Sequence, residues 1–153
     1  RIMRPLVHFF SGILFCVYIF FLFPLASLFG LLFVLLATVF IDVDHYVYYV
    51  FKTKNFSLFK AYHWFILMEK KGELNLQHAK DYKWPIMFLH GIEFLILLII
   101  LSFVSDIFKF IIFGVLLHYF LDFCELEYKK FPILLKVSQI YVFVRNKGKK
   151  ELD

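Results

Sequence analysis

His118 and Asp122 stand four residues apart in an otherwise apolar run, so on a helix they share one face. Asp42 and His45 are three apart, as are His90 and Glu93; His8 lies in the first apolar run, and Asp44 adds a carboxylate beside His45. Imidazole with carboxylate and no thiolate suits Zn²⁺, with Mn²⁺ or Fe²⁺ as alternatives. The set exceeds what one tetrahedral zinc takes. Two or more ions sharing a carboxylate are therefore expected, and such centres activate water for hydrolysis at phosphorus. The expected ligands are His8, Asp42, Asp44, His45, His90, His118 and Asp122. Asp44 and Glu93 are the candidate catalytic carboxylates: Glu93 takes a proton from water or holds a ligating His. On a continuous helix Asp42 and Asp44 point about 200° apart. Both bind metal if the helix frays there; otherwise one is a cap or a partner that holds a His. Cys16 and Cys124 lie in apolar runs and suggest neither a disulfide nor a Cys-based metal site.

These groups sit in an unusual setting. The chain has 153 residues, enough for one domain, and 62% of them are hydrophobic. A soluble domain of this size has no interior large enough to hide that excess. The composition thus excludes a soluble globular enzyme and a disordered chain, and it points to a polytopic membrane protein. Four apolar stretches approach the ~20 residues that cross a hydrocarbon core: Leu6–Phe23, Leu25 to about Phe51, Pro85 to about Val104, and about Ile107 to Phe123. Backbone hydrogen bonding in lipid makes them helices, and Pro24 and Pro85 suit helix starts.

The expected fold is all-α, with four transmembrane helices, an interfacial amphipathic helix and a basic C-terminal tail. Spans one and two join in a tight turn at Pro24, and spans three and four through Ser105-Asp106. Within the long loop 52–84, the segment Phe56–Lys71 mixes aromatics with Lys and ends at Gly72, as an interfacial helix does. Residues 1–128 form the metal-binding bundle and 129–153 the tail, whose apolar centre Ile133–Val144 forms an interfacial helix or a short strand pair. Arg1 and Arg4 before an apolar run resemble a signal peptide with Ala26-Ser27 as its cleavage site, but His8 argues for retaining the run as a span.

Depth and charge agree with this arrangement. At 1.5 Å rise per residue, His8 lies about 24 Å and Asp42 about 27 Å from the Pro24 turn. From Ser105, His90 lies about 22 Å, His118 about 20 Å and Asp122 about 26 Å away. All four helices thus bring costly polar groups to one level, and intramembrane ionisable residues mark functional sites. Basic residues crowd the termini and the long loop, whereas Lys109 lies by the other side. The positive-inside rule puts the loop, both termini and the site in the cytoplasm, with the chain in the plasma (inner) membrane.

The motifs His8-Phe-Phe-Ser11, Asp42-Val-Asp44-His45, Leu89-His90 and Gly114-Val-Leu-Leu-His118-Tyr-Phe-Leu-Asp122 resemble, in order and spacing over nearly all of Leu6–Phe123, the membrane-bound metal-dependent hydrolase family (YdjM-like). That family is distantly similar to zinc-dependent phospholipase C and single-strand-specific nucleases. The resemblance implies a metal-dependent phosphoesterase. Two departures stand out. Phe40-Ile41 replace a Pro that often precedes the Asp-x-Asp-His motif, and Ile86 with Leu89-His90-Gly91 replaces a His-Arg…Thr-His-Ser segment. His78 is then the candidate for the missing ligand, and Lys80 or Lys83 for the missing phosphate-binding Arg.

The expected function is hydrolysis of a phospholipid or another phosphate ester at the cytoplasmic leaflet through metal-activated water, with anionic phospholipid as the partner and no specific nucleic acid. The alternatives are a divalent-metal transporter and a non-catalytic metal-binding membrane protein. Apolar stretches such as Phe15–Leu25 offer no second polar layer, which argues against transport.

Overall fold

The computed structural model describes residues 5–23, 27–74, 83–129 and 134–150. Its elements are helices: α1 (Pro5–Leu22), α2 (Leu28–Phe40), α3 (Val43–Thr53), α4 (Leu58–Leu74), a single 3₁₀ turn (Phe88–His90), α5 (Ile92–Ser102), α6 (Ile107–Lys129), α7 (Leu134–Val137) and α8 (Gln139–Arg145). The all-α expectation holds among the described residues. The turn at Pro24, the candidates His78 and Lys80, and Pro132 lie outside them.

The centre of the bundle is the α2–α6 contact, flanked by α1 on α2 and α5 on α6. Gly114 makes it close: a Cβ there would stand 2.3 Å from the Val34 carbonyl oxygen and 2.8 Å from Ala37 Cβ. The Thr38 hydroxyl, buried in the same crossing, lies 2.9 Å from the Val34 carbonyl and 3.2 Å from that of Gly114. His118 follows Gly114 by one turn, so the helical repeat aims it at the end of α2.

Two apolar runs depart from uninterrupted helix. The second breaks at Ile41–Asp42, where the Asp44 and His45 N–H groups turn back to the carbonyls of Ile41 and Asp42. The third is helical only from Ile92, not from Pro85 as expected. Side chains stabilise its irregular start. Gln139 accepts the Met87 N–H at 2.8 Å and Asp44 accepts the Leu89 N–H at 3.0 Å. The Tyr119 hydroxyl reaches the carbonyls of Leu89 and Gly91 at 2.6 and 3.0 Å. Asn146 pairs with both backbone groups of Trp84. Buried backbone needs such partners.

Two stretches are long and apolar enough to cross a membrane, Leu28–Thr53 and Ile107–Tyr128; Leu6–Leu22 and Ile92–Ser102 are shorter apolar helices. α4 runs past Gly72 to Leu74 and packs Ala61 and Phe65 against Tyr49 and Met87, leaving Phe56 and Phe59 exposed. The tail forms two short helices rather than strands, and α8 contacts α5. In the α5–α6 turn, a hydrogen bond from Lys109, 2.6 Å away, holds the Asp106 carboxyl below its usual range.

Candidate metal centre

The apolar helices enclose a buried polar cluster where α1, the α2–α3 break, the 3₁₀ turn and α6 meet. His8, Asp42, Asp44, His45, His90, His118 and Asp122 are all buried, with His118 fully enclosed and His90 2% exposed. Two triads, His8–His118–Asp122 and Asp42–His45–His90, each bring donor atoms within 4.8 Å of one another.

The hydrogen bonds fix which histidine nitrogens face inward. His118 Nδ1 lies 2.8 Å from the Thr38 carbonyl, which can only accept, so Nδ1 carries the proton. Thr38 is among the last four residues of α2, whose carbonyls lack helical partners. His90 Nδ1 lies 3.0 Å from Asp44 Oδ2 and donates to it in the same way. Each imidazole therefore presents a bare Nε2, and these two atoms face each other at 3.1 Å. Opposed lone pairs at that distance repel unless a cation or a proton lies between them.

Two carboxylates complete the surroundings. Asp42 Oδ1 lies 3.5 Å from His90 Nε2 and 3.7 Å from His118 Nε2. Asp122 Oδ2 lies 3.6 and 3.5 Å from the same atoms. Donors placed tetrahedrally around a zinc-sized ion stand about 3.4 Å apart. The two imidazoles, 3.1 Å apart, and their distances of 3.5 to 3.7 Å to each carboxylate are close to that spacing. Asp42 Oδ2 and His8 Nδ1 are buried without a hydrogen-bond partner among the described residues, a costly state that a cation relieves. The residues present fit a divalent ion.

The other expected ligands have different places. His8 stacks on His118 with ring centroids 4.2 Å apart, and its Nε2 lies 3.8 Å from Asp122 Oδ1. His45 Nδ1 lies 3.0 Å from Asp44 Oδ1 and 3.6 Å from Asp42 Oδ1. Asp44 commits its oxygens to His45, His90 and the Leu89 N–H, which makes it an orienting carboxylate behind the ligands rather than one with a free edge for proton transfer.

Glu93 stands apart from the cluster. It accepts from the Ser138 hydroxyl at 2.5 Å and from the N–H groups of Gln139 and Ile140 at 3.2 and 3.1 Å, so it anchors the start of α8. Glu93, expected as a catalytic carboxylate, is thus placed with the tail rather than among the ligands. Its spacing from His90 implies a shared stripe only on one continuous helix, and the chain changes course at Gly91 between them.

The sequence reading missed Lys136, whose ammonium contacts Asp122 Oδ2. The available signal was a lone cation inside the apolar Leu134–Val144 stretch. The Lys83 backbone N–H donates to the Lys150 carbonyl. Comparisons of the chain with protein-family models, curated proteins and solved structures give no match.

Proposed function

We propose that this is a membrane-embedded, metal-dependent hydrolase of phosphate esters, with phospholipid at the cytoplasmic leaflet as the favoured substrate class. The observation that carries this reading is the buried set of His90, His118, Asp42 and Asp122: two inward imidazoles 3.1 Å apart, each 3.5 to 3.7 Å from both carboxylates, enough for three protein ligands and a water on zinc. Zn²⁺ suits that donor set best. A divalent ion held there supplies Lewis acidity toward a phosphoryl oxygen and lowers the pKa of water.

The chain's own residues do the positioning. Thr38 and Asp44 fix the tautomers of His118 and His90. Lys136 brings a positive charge to the rim of the cluster, where an anionic head group can meet it. In this reading α1, the α2–α3 run, α5 and α6 are four spans, with α4 and the tail helices in the interface. Exposed aromatic and aliphatic residues on α1, α4 and α8, such as Phe10, Phe59 and Phe143, support contact with lipid. The basic loop and termini support a cytoplasmic site in the plasma membrane.

One observation favours a second reading. Glu93 is tied to α8 and Asp44 to two histidines, so neither expected base has a free carboxylate edge. A metal-binding membrane protein without turnover accommodates that. Hydrolysis of a chromogenic phosphodiester by detergent-purified protein separates the two. The hydrolase reading expects activity that vanishes with chelator, returns with Zn²⁺ and is lost in His118→Ala. Metal-loaded protein inert toward both phosphodiesters and phosphomonoesters leaves the second reading.

A further inference from the structure

The Lys136 ammonium contacts Asp122 Oδ2, a carboxylate oxygen that faces His90 and His118. Among the described residues Asp122 is its hydrogen-bond partner, and an ammonium carries three N–H donors. Two donors therefore remain beside the cluster. The Lys136 side chain is 30% exposed and that of Asp122 8%, so the contact lies where the buried cluster opens toward the surface.

The tail holds this cation in place. Lys136 lies on α7, next to the buried Leu135. The chain just beyond it is tied down. Glu93 accepts from Ser138, Gln139 and Ile140, and Gln139 accepts the Met87 N–H immediately before the turn that carries His90. The stem is thus anchored on both sides, which orients the ammonium in advance.

A carboxylate oxygen has two lone-pair sites, so Oδ2 can serve a metal ion and the ammonium together. One metal–oxygen bond and one charge-assisted hydrogen bond then separate the two cations by at most about 5 Å. Two cations that close can hold two non-bridging oxygens of one phosphoryl group, as metal–Lys clamps do. A carbonyl oxygen, single and uncharged, would leave the ammonium's donors unused.

Resting on the hydrolase reading above, we propose that the C-terminal tail completes the site and that Lys136 binds the phosphoryl oxyanion of the substrate. The tail is then more than an interfacial anchor: it selects phosphate-bearing substrates over neutral esters.

Phosphate binding to the full-length, detergent-purified chain loaded with Co²⁺ tests this, read by visible absorption of the ion. Inorganic phosphate should perturb the wild-type spectrum to saturation. Lys136→Met should take up Co²⁺ as the wild type does but bind phosphate about tenfold or more weakly, the worth of a hydrogen bond to a charged group. Lys136→Arg should recover most of that loss. Phosphate should also slow amide exchange across Leu134–Val137 in the wild type. Bilayer discs of phosphatidylcholine, with and without phosphatidic acid, separate the sources. A response to phosphatidic acid alone assigns the subsite to a lipid head group, and a response to inorganic phosphate extends it to soluble phosphate esters. Equal phosphate affinity in Co²⁺-loaded wild type and Lys136→Met overturns the role of Lys136 and leaves the metal centre and the hydrolase reading standing. A Co²⁺ spectrum indifferent to both sources overturns the hydrolase reading as well. If Lys136→Met fails to fold, a wild type whose spectrum responds to phosphate while exchange on α7 stays unchanged overturns the proposal.

Discussion

Asp44 and His90 are joined by a hydrogen bond of 3.0 Å from His90 Nδ1 to Asp44 Oδ2, while Asp44 Oδ1 lies at the same distance from His45 Nδ1. One carboxylate thus sets the orientation of two histidines on different elements. Asp44→Asn offers an amide N–H where one imidazole donates, so one ring must turn or change tautomer. Metal affinity should fall by about 10–100-fold, the usual cost of losing such an outer partner. Isothermal titration of both proteins with Zn²⁺ measures it; equal affinities would refute the orienting role.

Glu93→Gln should behave differently. The side chain touches the tail rather than the cluster, so metal binding should persist. The start of α8 loses charge-assisted hydrogen bonds worth on the order of 1 kcal/mol. Amide hydrogen exchange at Gln139–Val142 should quicken in Glu93→Gln. A loss of metal with unchanged exchange would restore Glu93 to the site.

Gly114→Val tests the crossing that aims His118. Its Cβ would meet the Val34 carbonyl at 2.3 Å, and backbone on both sides leaves little room to yield. Overpacking of this kind costs about 1–3 kcal/mol. A lowered Tm in detergent is expected, together with weaker metal binding because His118 sits one turn away.

Metal removal should destabilise the fold. A ligand present at about a hundredfold excess over its Kd adds about 2.7 kcal/mol to the native state. Thermal unfolding with Zn²⁺ and with chelator should differ in that direction for the wild type and converge for His118→Ala. A Tm indifferent to both additions would count against a buried ion.

The sequence carries the cluster well because two regularities coincide in it. The i,i+4 spacing of His118 and Asp122 survives intact on α6, and the rise per residue brings His8 and Asp42 to the level of His90. It fails where helical geometry is interrupted. Asp42 and Asp44 both reach the cluster because the helix breaks before them, an outcome that the Asp42–Asp44 angle disfavoured and fraying allowed. Glu93 turns away because α5 begins after His90. Lys136 was hidden for another reason: its partner is far along the chain, and a Lys in a basic tail reads first as surface charge.

The late start of α5 at Ile92 also sets a length. α5 rises about 16 Å, well short of a hydrocarbon layer of about 30 Å, whereas the 26-residue run Leu28–Thr53 is long enough to cross it. A bundle embedded as proposed therefore meets its bilayer with a negative mismatch at α5, and lipid relieves such a deficit by thinning around the protein. The dimple would lower phosphate groups toward Asp122 without any lipid leaving its leaflet.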